Sequence, residues 1–166
     1  MQNARNIRRE GDPMSIVGFN FTKISAERKQ AVVGNISISN NISLKDVKEA
    51  KIGMGDRGAV RVSFAFTSTY SPNYATLLLE GDVLVIVDNK QTASIIDGWN
   101  KNKNLPTQLA GQIMNHTLDR CNIQALLLSK DLNLPSPVPL PKVHVNAPQA
   151  AGAKAEDVKA TKVKKK

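Results

Sequence analysis

The stretch that most resembles a chemical motif is glycine-rich. Residues 53–58 read Gly-Met-Gly-Asp-Arg-Gly and fit the G-x-G-x-x-G pattern of dinucleotide-binding turns. In such turns the last glycine opens a helix whose N-terminus faces the pyrophosphate. Here the glycine at 58 is followed by the most regular strand pattern in the sequence, residues 60–67. We therefore interpret residues 53–58 as a hairpin loop.

Nucleophilic and metal-binding residues are few. The sequence has one cysteine, Cys121, and two histidines, His116 and His144, which predicts neither an internal disulfide nor a metal site. Cys121 follows His116 by five residues and falls on a different helix face, whereas a Cys–His dyad needs hydrogen-bond reach. We interpret Cys121 as a small core residue and His116 as a surface residue. The sequence predicts no catalytic residue, no cofactor and no enzyme.

The elements are antiparallel strands followed by helices. Apolar and polar residues alternate over most of 17–87, and residues 71–73 read as a hairpin loop. The Glu-Gly-Asp at 80–82 predicts a bulge or kink, with its two acidic residues at an exposed edge. A short helix carries Ala93, Ile96 and Trp99.

A long helix is predicted from Pro106-Thr107 to about Asp131. Its apolar stripe comprises Leu109, Ile113, Cys121, Ala125 and Leu128, widened by Met114, Leu118 and Leu126. The alternate prolines of residues 134–141 forbid helix and central strand, so this exit is predicted to be extended and held by Leu134, Val138 and Leu140.

The charge is concentrated at the ends of the chain. Formal net charge is +9, and residues 146–166 hold six lysines against two acidic residues. This tail has no aromatic residue, which predicts disorder unless a partner orders it. It is either a solubility device or a means of neutralising nucleic-acid phosphates. The predicted phosphate contacts are Arg5, Arg8, Arg9, Lys154, Lys159, Lys162, Lys164, Lys165 and Lys166.

Three aromatic residues are candidate partner contacts. Trp99 precedes a polar loop, and core anchor is its default interpretation. Tyr70 and Tyr74 flank the hairpin at 71–73, from which they could stack on exposed bases. No apolar run approaches the ~20 residues of a membrane-spanning helix, and residues 1–13 lack the apolar segment of a secretory signal. We expect a cytoplasmic protein without membrane insertion.

In element order the sequence resembles the SecB export-chaperone family, in particular its archaeal branch, over about residues 16–143. The matching segments are Phe19-Asn20-Phe21 with Lys23-Ile24, Leu77 to Val83, Cys121 to Leu128, and Asn133 to Val143. The resemblance implies a four-stranded antiparallel sheet backed by helices, pairing of protomers, and holding of unfolded polypeptide along apolar grooves. The bacterial chaperones are acidic and use this charge to contact the translocation motor. Residues 14–145 of this sequence instead have a net charge of +4, which argues against docking to the motor.

The expected fold class is α+β. An antiparallel sheet of four or more strands is backed by one short and one long C-terminal helix. The domain spans 14–145, including the proline-rich exit 134–141. It lies between a basic extension, 1–13, and the lysine-rich tail, 146–166.

Two functions follow from these observations. The main hypothesis is a SecB-like domain associated with the ribosome, whose basic tails contact rRNA beside neighbouring ribosomal proteins. The alternative is a holdase that binds unfolded polypeptide and forms a homo-oligomer.

Overall fold

The computed structural model describes residues 14–29, 34–52 and 57–140, which form a sheet followed by helices. The elements are β1 (Ser15–Arg28), β2 (Ser37–Ala50), β3 (Arg57–Ser71), β4 (Ala75–Asp88), α1 (Asn89–Asn102) and α2 (Thr107–Asp131). The four strands are antiparallel and lie in the order β1-β4-β3-β2. The predicted α+β class, with a four-stranded antiparallel sheet, one short helix and one long helix, is confirmed.

Strand alternation decides which face of the sheet the helices cover. Val60, Val62, Phe64 and Phe66 of β3 are at most 1% exposed. In β4, Leu79 pairs with Phe66 and Val83 with Val62, so their side chains lie on the same face. These residues form one core with the inward faces of α1 and α2. Full burial of each large side chain contributes about 1.5–3 kcal/mol.

The inward face of α1 differs from the prediction. Its buried residues are Thr92, Ile95 and Trp99, whereas Ala93 is exposed and Ile96 only half-buried. The buried face of α1 differs from the predicted one because α1 approaches β3 closely at Gly58. A Cβ on Gly58 would overlap the Thr92 hydroxyl, so this threonine packs directly on the strand. Gly58 lies inside β3, so the helix that a dinucleotide-binding turn needs after its last glycine does not begin there. Residues 53–56, the rest of the predicted hairpin loop, lie outside the described residues.

Strand β4 is central, which corrects the expectation that Glu80 and Asp82 lie at an exposed edge. Both are half-buried on the sheet face opposite the helices, where Ser63 Oγ donates a 2.6 Å hydrogen bond to Asp82 Oδ1. The bulge or kink expected at residues 80–82 does not lie in β4, because the β3–β4 register is continuous there; the irregularity lies opposite Gly81 and Glu80, in the neighbouring strand. The irregularities lie in β1, between Ile16 and Gly18 and between Phe21 and Lys23.

The proline-rich exit runs without helix or strand, as predicted, and its described part ends at residue 140. Two hydrogen bonds hold it on the sheet: Tyr70 Oη donates to the Pro135 carbonyl at 2.8 Å and Asn40 Nδ2 to the Pro137 carbonyl at 2.7 Å. Leu134 is buried, but Leu140 is 53% exposed and does not anchor the segment as expected.

Replacing Gly81 tests the tight packing at the middle of the sheet. A Cβ there would overlap the Asn20 carbonyl oxygen and lie 2.8 Å from Phe64 Cζ. We expect Gly81→Ala to lower the free energy of unfolding by about 1–3 kcal/mol. Urea denaturation followed by circular dichroism measures it.

Gly111→Ala is the matched control. Gly111 lies in α2 with open space around its Cβ position, so alanine should raise stability by about 0.5–1 kcal/mol. Equal effects of both substitutions would contradict the crowding at Gly81.

Candidate functional site

Large apolar side chains that remain exposed are concentrated on two elements. Val17 and Ile24 of β1 are 51% and 47% exposed, and Ile123 and Leu127 of α2 are 62% and 51% exposed. Among the described residues only Leu140 joins them. Because apolar patches on soluble domains often mark interaction sites, these two elements are the first place to look for function.

Helix α2 lies alongside β1 on the core side of the sheet. The His116 ring stacks edge-on against Phe19 at 5.7 Å, and Arg120 Cζ lies 5.9 Å from the centre of the same ring. Farther along both elements, Arg28 Nη1 donates a 3.3 Å hydrogen bond to the Leu132 carbonyl. The helix and the strand therefore run in the same direction.

The two exposed apolar residues of α2, Ile123 and Leu127, lie on the side of the helix that is turned toward β1. Positions 116, 120, 123 and 127 recur at helical spacing and share one side of the helix. Because His116 and Arg120 contact β1, Ile123 and Leu127 continue the same side toward the later part of the strand. Ile24 belongs to the core-side face of β1, since it pairs with buried Leu79.

Val17 lies at the other end of this strip. It is the extra residue of the bulge between Ile16 and Gly18, and it lines a cavity together with His116 and Arg120. We call the strip formed by Val17, Ile24, Ile123 and Leu127 the β1–α2 edge.

The strand beside this strip has a free backbone side. Strand β1 pairs only with β4, and no strand covers its other side in the described part of the chain. Its 14 residues extend over about 46 Å. Unpaired N–H and C=O groups on an edge strand are a template for another extended chain. The edge can therefore offer backbone hydrogen bonds and apolar contacts together.

The three aromatic candidates are buried, which corrects the expectation that the tyrosine rings are exposed at the hairpin. Tyr70 is 0%, Tyr74 7% and Trp99 5% exposed. Arg28 lies 5.3 Å above the Tyr74 ring, and Lys103 lies 5.4 Å from the Trp99 ring. Burial also raises the pKa of Tyr70 above its ordinary value. These rings act as core anchors in this structure.

The predicted phosphate contacts lie outside the described residues, at 1–13 and 141–166, and remain a prediction. His144 lies there as well. Within the described ranges no group of three or more His, Cys, Asp and Glu side chains is placed to hold a metal ion. The two helices of those ranges are each too short or too polar to cross a membrane.

Cys121 and His116 do not form a catalytic pair. Cys121 is fully buried in α2, and burial raises the pKa of its thiol to about 12. His116 instead contacts Phe19 on the β1 side. The interpretation of Cys121 as a core residue is confirmed.

Sequence reasoning missed the β1–α2 edge. The predicted stripe of the long helix comprises Leu109, Ile113, Cys121, Ala125 and Leu128, of which the first four are buried and Leu128 is half-buried. Ile123 and Leu127 fall outside that stripe and form an apolar pair at i, i+4 spacing. This second apolar face on the same helix is the feature of the sequence that could have revealed the β1–α2 edge.

No family profile matches the sequence, and no curated protein matches it. Solved structures similar to this chain include the SecB-like chaperone Rv1957 of Mycobacterium tuberculosis, in complex with a ChAD peptide from the Rv1956 HigA1 antitoxin. The identity is 16% and the TM-score 0.48, with 80% of this chain and 91% of the other covered.

Burial of Cys121 predicts an unreactive thiol. At pH 8 we expect iodoacetamide to leave the folded protein unmodified and to alkylate it rapidly in urea, as followed by mass spectrometry. The folded pKa of about 12 exceeds the ordinary value of 9.0, so the stabilising contribution of the neutral thiol is complete below pH 9 and lost toward pH 12. Fast alkylation of the folded chain would contradict this burial.

Proposed function

We propose that this chain is a non-enzymatic protein that binds unfolded polypeptide, with the β1–α2 edge as its binding surface. The observation that carries the proposal is the position of four exposed apolar side chains along a strand with a free backbone side. An unfolded chain brings the partners that this surface lacks: extended backbone groups for β1 and apolar side chains for the exposed apolar residues.

The physical basis is β-augmentation combined with apolar burial. A segment that adds to β1 satisfies its own N–H and C=O groups against the strand. Alternate side chains of the segment then point to the core side, toward Ile24, Ile123 and Leu127. Backbone pairing is indifferent to sequence, and a narrow apolar strip selects only weakly among side chains. Such a surface suits many unfolded clients.

The sequence resemblance supports the same proposal. The SecB-like family holds unfolded polypeptide on a four-stranded antiparallel sheet backed by helices, and this chain has that element order. Assignment to the archaeal branch and pairing of protomers are further parts of this proposal.

The triple variant Ile24→Ser, Ile123→Ser and Leu127→Ser tests the surface. Each substitution removes apolar area that a client would cover, so we expect at least about tenfold more variant than wild type for equal suppression of aggregation. The assay is light scattering of insulin reduced with dithiothreitol. The chain has a single cysteine, so the reductant breaks no disulfide within it.

Leu140→Ser is the matched control, because Leu140 is as exposed as Leu127 but lies on the proline-rich exit. It should behave as wild type. Circular dichroism should show both variants folded. Full activity of the triple variant would disprove the role of this edge, and failure of the wild type to suppress aggregation would disprove the proposed function.

The uneven charge favours a second candidate function, association with the ribosome. Residues 146–166 hold six lysines, and lysine contacts to phosphate need no base readout. We expect the full chain to sediment with ribosomes at low salt and to be released at high salt, while a truncated chain ending at Val145 stays in the supernatant. Equal association of both chains would contradict a role for the tail. Client binding, by contrast, should be unchanged in the truncated chain.

A further inference from the structure

The sheet face opposite the helices carries a cavity that spans β1, β4 and β3. It has a volume of about 360 Å³, which is at the small end of the range for ligand sites and suits a molecule the size of an amino acid. The residues that line it are Gly18, Phe19, Asn20, Arg61, Asp82 and Leu84. We call it the outer-face cavity.

The cavity forms where β1 has a glycine beside residues with large side chains. Gly18 pairs with Leu84, and Leu84 pairs with Arg61, so these three residues form one row across the sheet. A Cβ on Gly18 would lie only 3.2 Å from Leu84 Cβ. The missing side chain therefore leaves room beside half-buried Leu84, which provides an apolar floor.

The charged walls of the cavity are an arginine and an aspartate that are not paired with each other. Among the described residues the ion pair at 4.0 Å or less joins Lys48 to Asp46, so Arg61 and Asp82 lie farther apart than that. The cross-strand neighbour of Arg61 on β2 is Lys48, which has the same charge. Asp82 Oδ1 accepts the 2.6 Å hydrogen bond from Ser63, which leaves Oδ2 for another donor.

Simple ions and nucleotides match these walls poorly. An anion bound by the Arg61 guanidinium would also meet the carboxylate of Asp82, and a metal cation would find one carboxylate beside a guanidinium. The Phe19 ring packs against Phe64 on the core side, with 5.2 Å between ring centres, so it offers no open face to a nucleobase. The cavity instead matches a small molecule that carries both charges.

We infer that the outer-face cavity binds the zwitterion of a small aliphatic amino acid. The carboxylate of this ligand accepts hydrogen bonds from Arg61, because a guanidinium presents its donors in a planar fork that matches a carboxylate. The ammonium group donates to Asp82 and to the side-chain oxygen of Asn20, and the aliphatic side chain covers Leu84.

The face that carries the cavity is open whichever partner the edge of the sheet has. Helices α1 and α2 pack on the other face, and a second copy that paired with β1 would extend the sheet in its own plane. Amino-acid binding therefore does not depend on what occupies the β1–α2 edge, and it goes beyond the proposed function.

A matched set of ligands tests this site by NMR titration of the isotope-labelled full chain. The set is leucine, N-acetylleucine, which lacks the ammonium charge, and leucinamide, which lacks the carboxylate. We expect leucine to bind with a Kd of about 1–10 mM, because exposed charge pairs contribute little each. Each analogue should bind about three- to tenfold more weakly. The amide signals that shift should be those of Gly18, Asp82, Leu84 and their neighbours.

Variants assign the two charges to two side chains. Arg61→Gln should bind leucine and leucinamide equally. Asp82→Asn should bind leucine and N-acetylleucine equally, and its amide oxygen can still accept the hydrogen bond from Ser63. Lys48→Gln and Asp46→Asn are the matched controls, since both residues lie on the same face but do not line the cavity. Both controls should keep the full preference for leucine, and circular dichroism should show the variants folded.

Three results would overturn the inference. The first is the absence of saturable shifts with leucine. The second is equal binding of leucine and N-acetylleucine by the wild type, which would make the cavity an anion site. The third is equal binding of leucine and leucinamide, which would make it a cation site. The Arg61→Gln comparison is decisive by itself if Asp82→Asn does not fold.

Discussion

The packing of α2 on the sheet depends on a buried stripe whose members are spaced by four residues. These are Leu109, Ile113, Thr117, Cys121, Ala125 and Ser129. The first two are large, whereas the last four are small. Small residues let the second half of the helix approach the strands closely, because protein interiors tolerate few voids. Two large apolar residues of that half, Ile123 and Leu127, lie on the β1 side and are exposed.

This arrangement explains which parts of the structure could be predicted from sequence. Alternation along residues 60–67 predicted one face of β3 correctly, because a period of two leaves a strand no other choice once one face is buried. The predicted α2 stripe was also largely correct, but it included half-buried Leu128 and omitted Thr117 and Ser129. Burial of these two hydroxyl residues depends on how close the helix comes to the sheet, which local sequence does not encode.

The incorrect predictions for residues 80–82 of β4 have a cause that lies outside this segment. Nothing within residues 80–82 indicates that β4 lies between β1 and β3, so its acidic residues were expected at an edge. Gly81 suggested a bulge in its own strand, but it is required by the close approach of Asn20 and Phe64 from the two neighbouring strands. The order of the strands in the sheet determines both that residues 80–82 are central and that position 81 requires glycine. The same order makes β1 an edge, and the candidate site could not be assigned before it was known.

The two edges of the sheet are not equivalent, which argues that β1 is the functional one. Strand β2 exposes Ser39, Asn41 and Lys45, and its Asn40 is hydrogen-bonded to the proline-rich exit. Polar side chains and a covering segment are usual ways to protect an edge strand from pairing. Strand β1 also exposes polar residues, Lys23 and Glu27 among them, but it adds exposed Val17 and Ile24, beside further apolar residues of α2. Its two bulges interrupt a flat edge, which under the proposed function would limit an added strand to short stretches of pairing and make its release easy. Weak, reversible pairing is what a protein that holds unfolded chains for a time requires, whereas a permanent partner would favour a continuous edge.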